Sequence, residues 1–225
     1  MTRKIFLFCG ILSSLLYIGM NVFIPMWYEG YSSASQTVSE LSAIDAPTRS
    51  LWVLLGIVYT LLVIAFGWGI CLSADHNRPL RIVGILMIIY GIVGIGWPFG
   101  PMHQREVLAA GGGTLSDTMH IVFTMITVTT MLLAMGFGAA AYGKRFRFYS
   151  IATILLLLGF GVLTGLDAPR LQANLPTPLL GVWERIMIGV YLIWMMVLAN
   201  VLLRPEKRFG SLSSAIHASL KADGL

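Results

Sequence analysis

The run LWVLLGIVYTLLVIAFGWGICL, residues 51–72, contains no charged side chain and no proline. A bilayer's hydrocarbon core is crossed by about 20 consecutive apolar residues of helix, so this run reads as one membrane pass. Five more windows are long and apolar enough to do the same: 5–26, 82–99, 119–142, 148–166 and 182–203. The chain of 225 residues is 57% hydrophobic and only 11% charged, whereas soluble domains average about 25% charged. The expected fold is all-α: a polytopic membrane protein with a six-helix transmembrane bundle over residues 1–203 and a tail over 204–225.

Charge supplies the expected orientation. Arg3, Lys4, Arg78, Arg81, Lys144, Arg145, Arg147, Arg204, Lys207, Arg208 and Lys221 fall at the start, in the second and fourth connections and in the tail. Arg49, Arg105, Arg170 and Arg185 fall on the other side. The positive-inside rule then places both termini in the cytoplasm of a cell whose inner membrane holds the protein. The net charge of +5 therefore records topology, and no nucleic-acid partner is expected. Most carboxylates lie on the opposite, outer side, among them Glu40, Asp45, Asp117 and Glu184, which suggests a site there. Cys9 and Cys71 map to inner helix ends, where free thiols are expected. The first apolar run exceeds a signal peptide's core and reads as a retained helix.

Several stretches carry polar chemistry. Asn21 shares a helix face with Ser14 and Tyr17. Thr37-Val38-Ser39-Glu40 has capping-box spacing, which predicts a short interfacial helix over 38–44 ended by Asp45-Ala46-Pro47. Glu40 and Asp45 serve either as caps or as part of a site. From Trp97 the chain passes Pro98 and Pro101, then His103, Arg105 and three glycines, to Asp117 and His120. Asp117, His120, Thr124 and Thr127 recur at three and four residues, a polar stripe that requires protein or water beside it. His120 is either hydrogen-bonded to a neighbour or part of a site. Gly84, Gly91, Gly94 and Gly96, and the Gly161–Gly165 pair, are expected to permit close helix packing. The third outer loop is expected to open at Asp167-Ala168-Pro169-Arg170. Glu184 either pairs with Arg185 or points toward His120. Phe209, Leu212, Ile216 and Leu220 suggest a surface-lying amphipathic helix in the tail.

With Ser39-Glu40-Leu41-Ser42-Ala43, Trp97-Pro98-Phe99-Gly100, His120 and Trp183-Glu184-Arg185-Ile186, nearly the whole chain resembles a prokaryotic membrane family catalogued as domain of unknown function 998. The resemblance implies six inner-membrane helices with no assigned activity. Glu40, His120, Glu184 and Arg185 are its matching positions, His103 less securely.

Three functions follow from these residues. The first is an outward-facing polar pocket for a lipid-like or small polar ligand, drawing on Asn21, Ser39, Asp45, His103, Thr124 and Arg185, with Arg105 or Arg170 also available to an anion. Membrane lipids are then the expected partners. The second is a hydrolase in which His103, Asp117 and His120 bind zinc and Glu40 or Glu184 acts as base; a serine triad of Ser39, His120 and Asp117 is weaker. The third is a proton-coupled transporter using Glu40, Asp117, His120 and Glu184 as a relay, which needs a path to the cytoplasm.

Overall fold

The computed structural model describes residues 2–204. Six long helices are apolar enough to cross a membrane, and among the described residues there is no strand. They are α1 (Thr2–Phe23), α2 (Arg49–Cys71), α3 (Arg78–Gly96), α5 (Leu115–Ala141), α6 (Lys144–Gln172) and α7 (Leu180–Leu203), with a short α4 (Arg105–Ala109) between the third and fourth passes. The protein is a multi-pass membrane protein. The proposed tail helix lies outside the described residues.

The passes form a closed ring. α1 packs on α2, α2 on α3, α3 on α5, α5 on α6, α6 on α7, and α7 returns to α1. Six passes leave both ends of the described chain at one end of the bundle, called here the terminal end. The other, the capped end, carries the longer loops. Outward-facing Leu12, Leu15, Leu54 and Ile92 are exposed, as a lipid-facing surface requires.

Toward the terminal end the ring is filled by Phe66, Ile70, Met87, Met135, Tyr191 and Trp194. Trp194 Nε1 donates to Ser150 Oγ at 2.9 Å, which satisfies the indole inside the core. α2 and α3 approach backbone to backbone: a Cβ at Gly84 would meet the Gly67 carbonyl oxygen at 2.8 Å. Ser14 Oγ donates to the Leu192 carbonyl at 3.1 Å and links α1 to α7. Cys9 and Cys71 are free thiols.

Four boundaries differ from the sequence expectation, each for a local reason. The interfacial helix is a single 3-10 helix, Val38–Ser42. Asp45 turns the chain at φ 64°, and after it the pass starts at Arg49, slightly ahead of the expected run 51–72. α5 begins before residue 119 because Thr114 and Asp117 form a second capping box, the Asp117 carboxylate accepting the Thr114 amide at 2.8 Å. The segment Asp167-Ala168-Pro169-Arg170 is helical and not the start of a loop. Pro169 removes one backbone bond close to the helix end, where the helix tolerates the loss, and Ala173 still donates to the Pro169 carbonyl at 3.1 Å.

Of the Gly161–Gly165 pair, only Gly161 stands at a close approach. A Cβ at Gly165 would meet nothing within 4 Å, and one at Gly161 would meet only Met187 Sδ at 3.3 Å. The cause is visible along α5. Ile121, Met125, Val128, Leu132, Met135 and Ala139 form one face by their spacing, turned away from Phe123 and α3. Its exposure falls from 52% and 64% at Ile121 and Met125 to burial at Met135 and Ala139. In α6 no residue between 158 and 170 is buried. The two helices therefore pack near the terminal end and part toward the cap.

Candidate functional site

The cap is assembled around one carboxylate. Glu40 is 0% exposed; its Oε2 accepts the Thr37 amide at 2.7 Å and the Thr37 hydroxyl at 3.0 Å, so the capping box forms. Both carboxylate oxygens also receive Arg105, through Nε and Nη2, at 2.8 Å each. Arg105 Nη1 continues to Thr177 Oγ1 at 3.2 Å, and Thr177 donates to the Ser35 carbonyl at 2.8 Å. One guanidinium thus joins all three loops at this end. Bidentate arginine–carboxylate geometry is the strong form of such a pair.

Arg185 performs a parallel task. Its Nη1 donates to the carbonyls of Ser33 and Gln36, both at 2.9 Å, and its Nη2 to the Tyr31 hydroxyl at 2.6 Å. Burial pushes the Tyr31 phenol's pKa up even with that guanidinium beside it, so Tyr31 keeps its proton and donates to the Thr37 carbonyl at 2.7 Å. Arg185 faces the loop and forms no ion pair with Glu184.

Beneath the cap lies a cavity of about 170 Å³ inside the ring. Its polar end is lined by Ser39, Arg49, His120, Thr124 and Glu184; its walls and floor include Trp52, Tyr59, Tyr90, Met131 and Ile188. Tyr59 and Tyr90 close the floor with their hydroxyls 2.9 Å apart.

His120 spans the cavity rim. Its Nδ1 lies 3.1 Å from the Gly100 carbonyl oxygen and its Nε2 lies 3.1 Å from Ser39 Oγ. The carbonyl can only accept, so in the neutral ring Nδ1 carries the proton and Nε2 accepts the Ser39 hydroxyl. Trp97 meets the imidazole edge-on at 4.8 Å between ring centres. Glu184 accepts the Val38 amide at 2.5 Å through Oε2; among the described residues its other oxygen has no hydrogen-bond partner. Arg49 Nη1 donates to the Ser42 carbonyl at 2.6 Å and Nη2 to the Pro98 carbonyl at 3.3 Å, and no carboxylate pairs with it among the described residues.

The remaining sequence candidates fall elsewhere. His103 and Asp117 do meet, with Nδ1 2.8 Å from Oδ2, and the His103 amide donates to the other oxygen at 2.7 Å. The expected zinc set does not assemble around them, because His120 is committed to Gly100 and Ser39. Among the described residues no three His, Cys, Asp or Glu side chains group as a metal site. Asp117 makes no hydrogen bond to His120, both of whose ring nitrogens are taken by Gly100 and Ser39, so the serine triad lacks its acid. Glu40 is consumed by Arg105 and does not line the cavity. Asp45 is exposed in its turn. Asn21 donates to the Tyr17 carbonyl at 3.0 Å and also stays out of the cavity lining. Arg170 binds the Pro176 carbonyl at 3.0 Å.

Sequence reasoning missed Arg49 as a site residue, treating it only as a topological charge. A signal was present: Arg49, Trp52, Val53, Gly56, Ile57 and Thr60 recur at helical spacing, and all of them line the cavity. The Thr114–Asp117 box predicts that Asp117→Asn weakens the start of α5 and releases His103. Loss of such a cap costs about 1 kcal/mol, read as a small drop in melting temperature; an unchanged melting temperature would contradict the assignment.

Comparison with curated proteins yields no match, and neither does comparison with solved structures. A family model described as "Protein of unknown function (DUF998)" matches residues 11–201, a span that takes in the cap, the cavity and nearly all of the six passes. The chain belongs to the domain of unknown function 998 family.

Proposed function

We propose that the cavity binds the polar end of a membrane amphiphile whose head carries an anionic oxygen. The observation that carries this reading is Arg49, a half-buried guanidinium facing the cavity with carbonyl partners and, among the described residues, no counter-charge. A charge withdrawn from water is costly unless it is paired, and an anionic oxygen on Arg49 supplies the pair. The free oxygen of Glu184 offers an acceptor to a hydroxyl or ammonium on the same head. Below them the aromatic and aliphatic walls suit an apolar chain, as in most ligand pockets.

The volume fits a headgroup or a short chain and not a whole lipid. The parting of α5 and α6 supplies the rest: Val128 and Met187, which flank it, also line the cavity, so a longer chain can lie through the gap into the bilayer. By the positive-inside rule the cavity faces the periplasmic side. Zinc hydrolysis and proton relay are less well supported, because the metal ligands do not converge and the polar stripe ends above a packed core.

The test is lipid analysis of protein purified in mild detergent, with Arg49→Met compared to wild type. Hydrogen bonds to charged groups contribute about 1.5–3 kcal/mol, so the variant is expected to retain about tenfold to a hundredfold less of an anionic amphiphile. Wild-type protein with no amphiphile enriched over the bulk membrane, or equal retention by a folded Arg49→Met variant, would overturn the reading.

A further inference from the structure

We infer that Ser39 and His120 are a nucleophile and its general base, and that they cleave a carboxylic ester of the amphiphile held in this cavity. This rests on the binding reading above and adds a reaction to it.

The geometry has four parts. Ser39 Oγ lies 3.1 Å from His120 Nε2, within the hydrogen-bond reach a nucleophile–base pair requires. The Gly100 carbonyl, 3.1 Å from Nδ1, occupies the place an aspartate holds in a triad. It selects the tautomer that leaves the Nε2 lone pair on the serine side. Ring orientation is fixed by Trp97, and the backbone at His120 is held by Thr124, whose hydroxyl donates to its carbonyl at 2.9 Å. Finally, Ser39 sits in the first turn of the 3-10 helix Val38–Ser42, where amides have no partner within the helix. The Val38 amide is taken by Glu184, while among the described residues the Ser39 amide makes no hydrogen bond. It is the available donor for an oxyanion formed at its own side chain.

The reaction balances with water as the only co-reactant. Ser39 Oγ adds to the ester carbonyl carbon as its proton passes to His120 Nε2. The bond from that carbon to the leaving oxygen breaks, and the oxygen takes the Nε2 proton and departs as an alcohol, leaving the acyl group on Ser39. Water then adds to the acyl carbon and gives a proton to Nε2. Ser39 Oγ leaves and recovers that proton, and the carboxylic acid is released. A neutral carbonyl stabilises the intermediate imidazolium less than a carboxylate does, so turnover is slower than with a full triad.

The experiment treats the full-length protein in mild detergent with an alkyl fluorophosphonate and, separately, with p-nitrophenyl butyrate. Adducts are mapped by peptide mass spectrometry, and co-purifying amphiphile is quantified in the same preparations. The expected result is an adduct on Ser39 in wild type, none at that position in Ser39→Ala, and labelling and ester hydrolysis at least about 100-fold slower in His120→Gln, the scale of general-base catalysis. Retained amphiphile with no adduct on wild-type Ser39 overturns the catalytic inference and leaves binding intact. Labelling as fast in folded His120→Gln as in wild type removes His120 from the reaction and overturns the pair. Labelled Ser39 in protein that holds no amphiphile overturns the binding reading, and with it the assignment of substrate.

Discussion

Replacing Glu40 with alanine lowers stability by about 3–5 kcal/mol, the range measured when one partner of a buried ion pair is removed. The substitution strands Arg105, only 12% exposed at its side chain, without its counter-charge. It also removes the acceptor of the Thr37 amide. Arg105 bridges Glu40 to Thr177 and the Ser35 carbonyl, so the loss spreads to every loop over the cavity. Thermal unfolding in detergent reads the effect. The double variant Glu40→Ala/Arg105→Ala should fall short of the sum of the two single losses, because the second substitution removes the stranded charge. A melting temperature for Glu40→Ala within about a degree of wild type would show that the cap is held by something else.

Gly181→Ala is expected to be the next most damaging change. A Cβ there would collide with the carbonyl oxygens of Gln36 and Ser33, the latter at 2.5 Å, and with Arg185 Nη1 at 2.8 Å. Two of these neighbours are backbone, so the start of α7 must withdraw from the first loop and Arg185 loses its grip on it. Overpacking of this kind costs about 1–3 kcal/mol and sometimes more. Gly189, on the same helix, is the control, since a Cβ there meets nothing within 4 Å. Alanine at Gly189 is expected to be neutral or stabilising by up to about 1 kcal/mol through helix propensity. Equal melting temperatures for the two variants would refute the close fit at Gly181.

The membrane passes were legible because long uncharged apolar runs have few alternatives in water or lipid. Helix ends were less so. Hydropathy cannot see Ser116 and Thr118 inside α5, and it mistook Pro169 for a stop where only one backbone bond was at stake. Among the polar residues, type was legible and direction was not. Glu40, Arg105 and Arg185 stood out as charges in an apolar chain, yet the contacts that turn them into the cap join residues far apart in sequence. The same holds for His120. Asp117 is its near neighbour along the helix, but the imidazole faces Ser39 from the first loop and Gly100 from the second.

The divergence of α5 and α6 has a kinetic consequence. The amphiphile proposed for the cavity would reach it sideways from a two-dimensional pool, so its rate of entry would follow its mole fraction in the leaflet. A very sparingly soluble amphiphile would then enter without crossing water, and widening the loops overhead would leave its rate of entry unchanged.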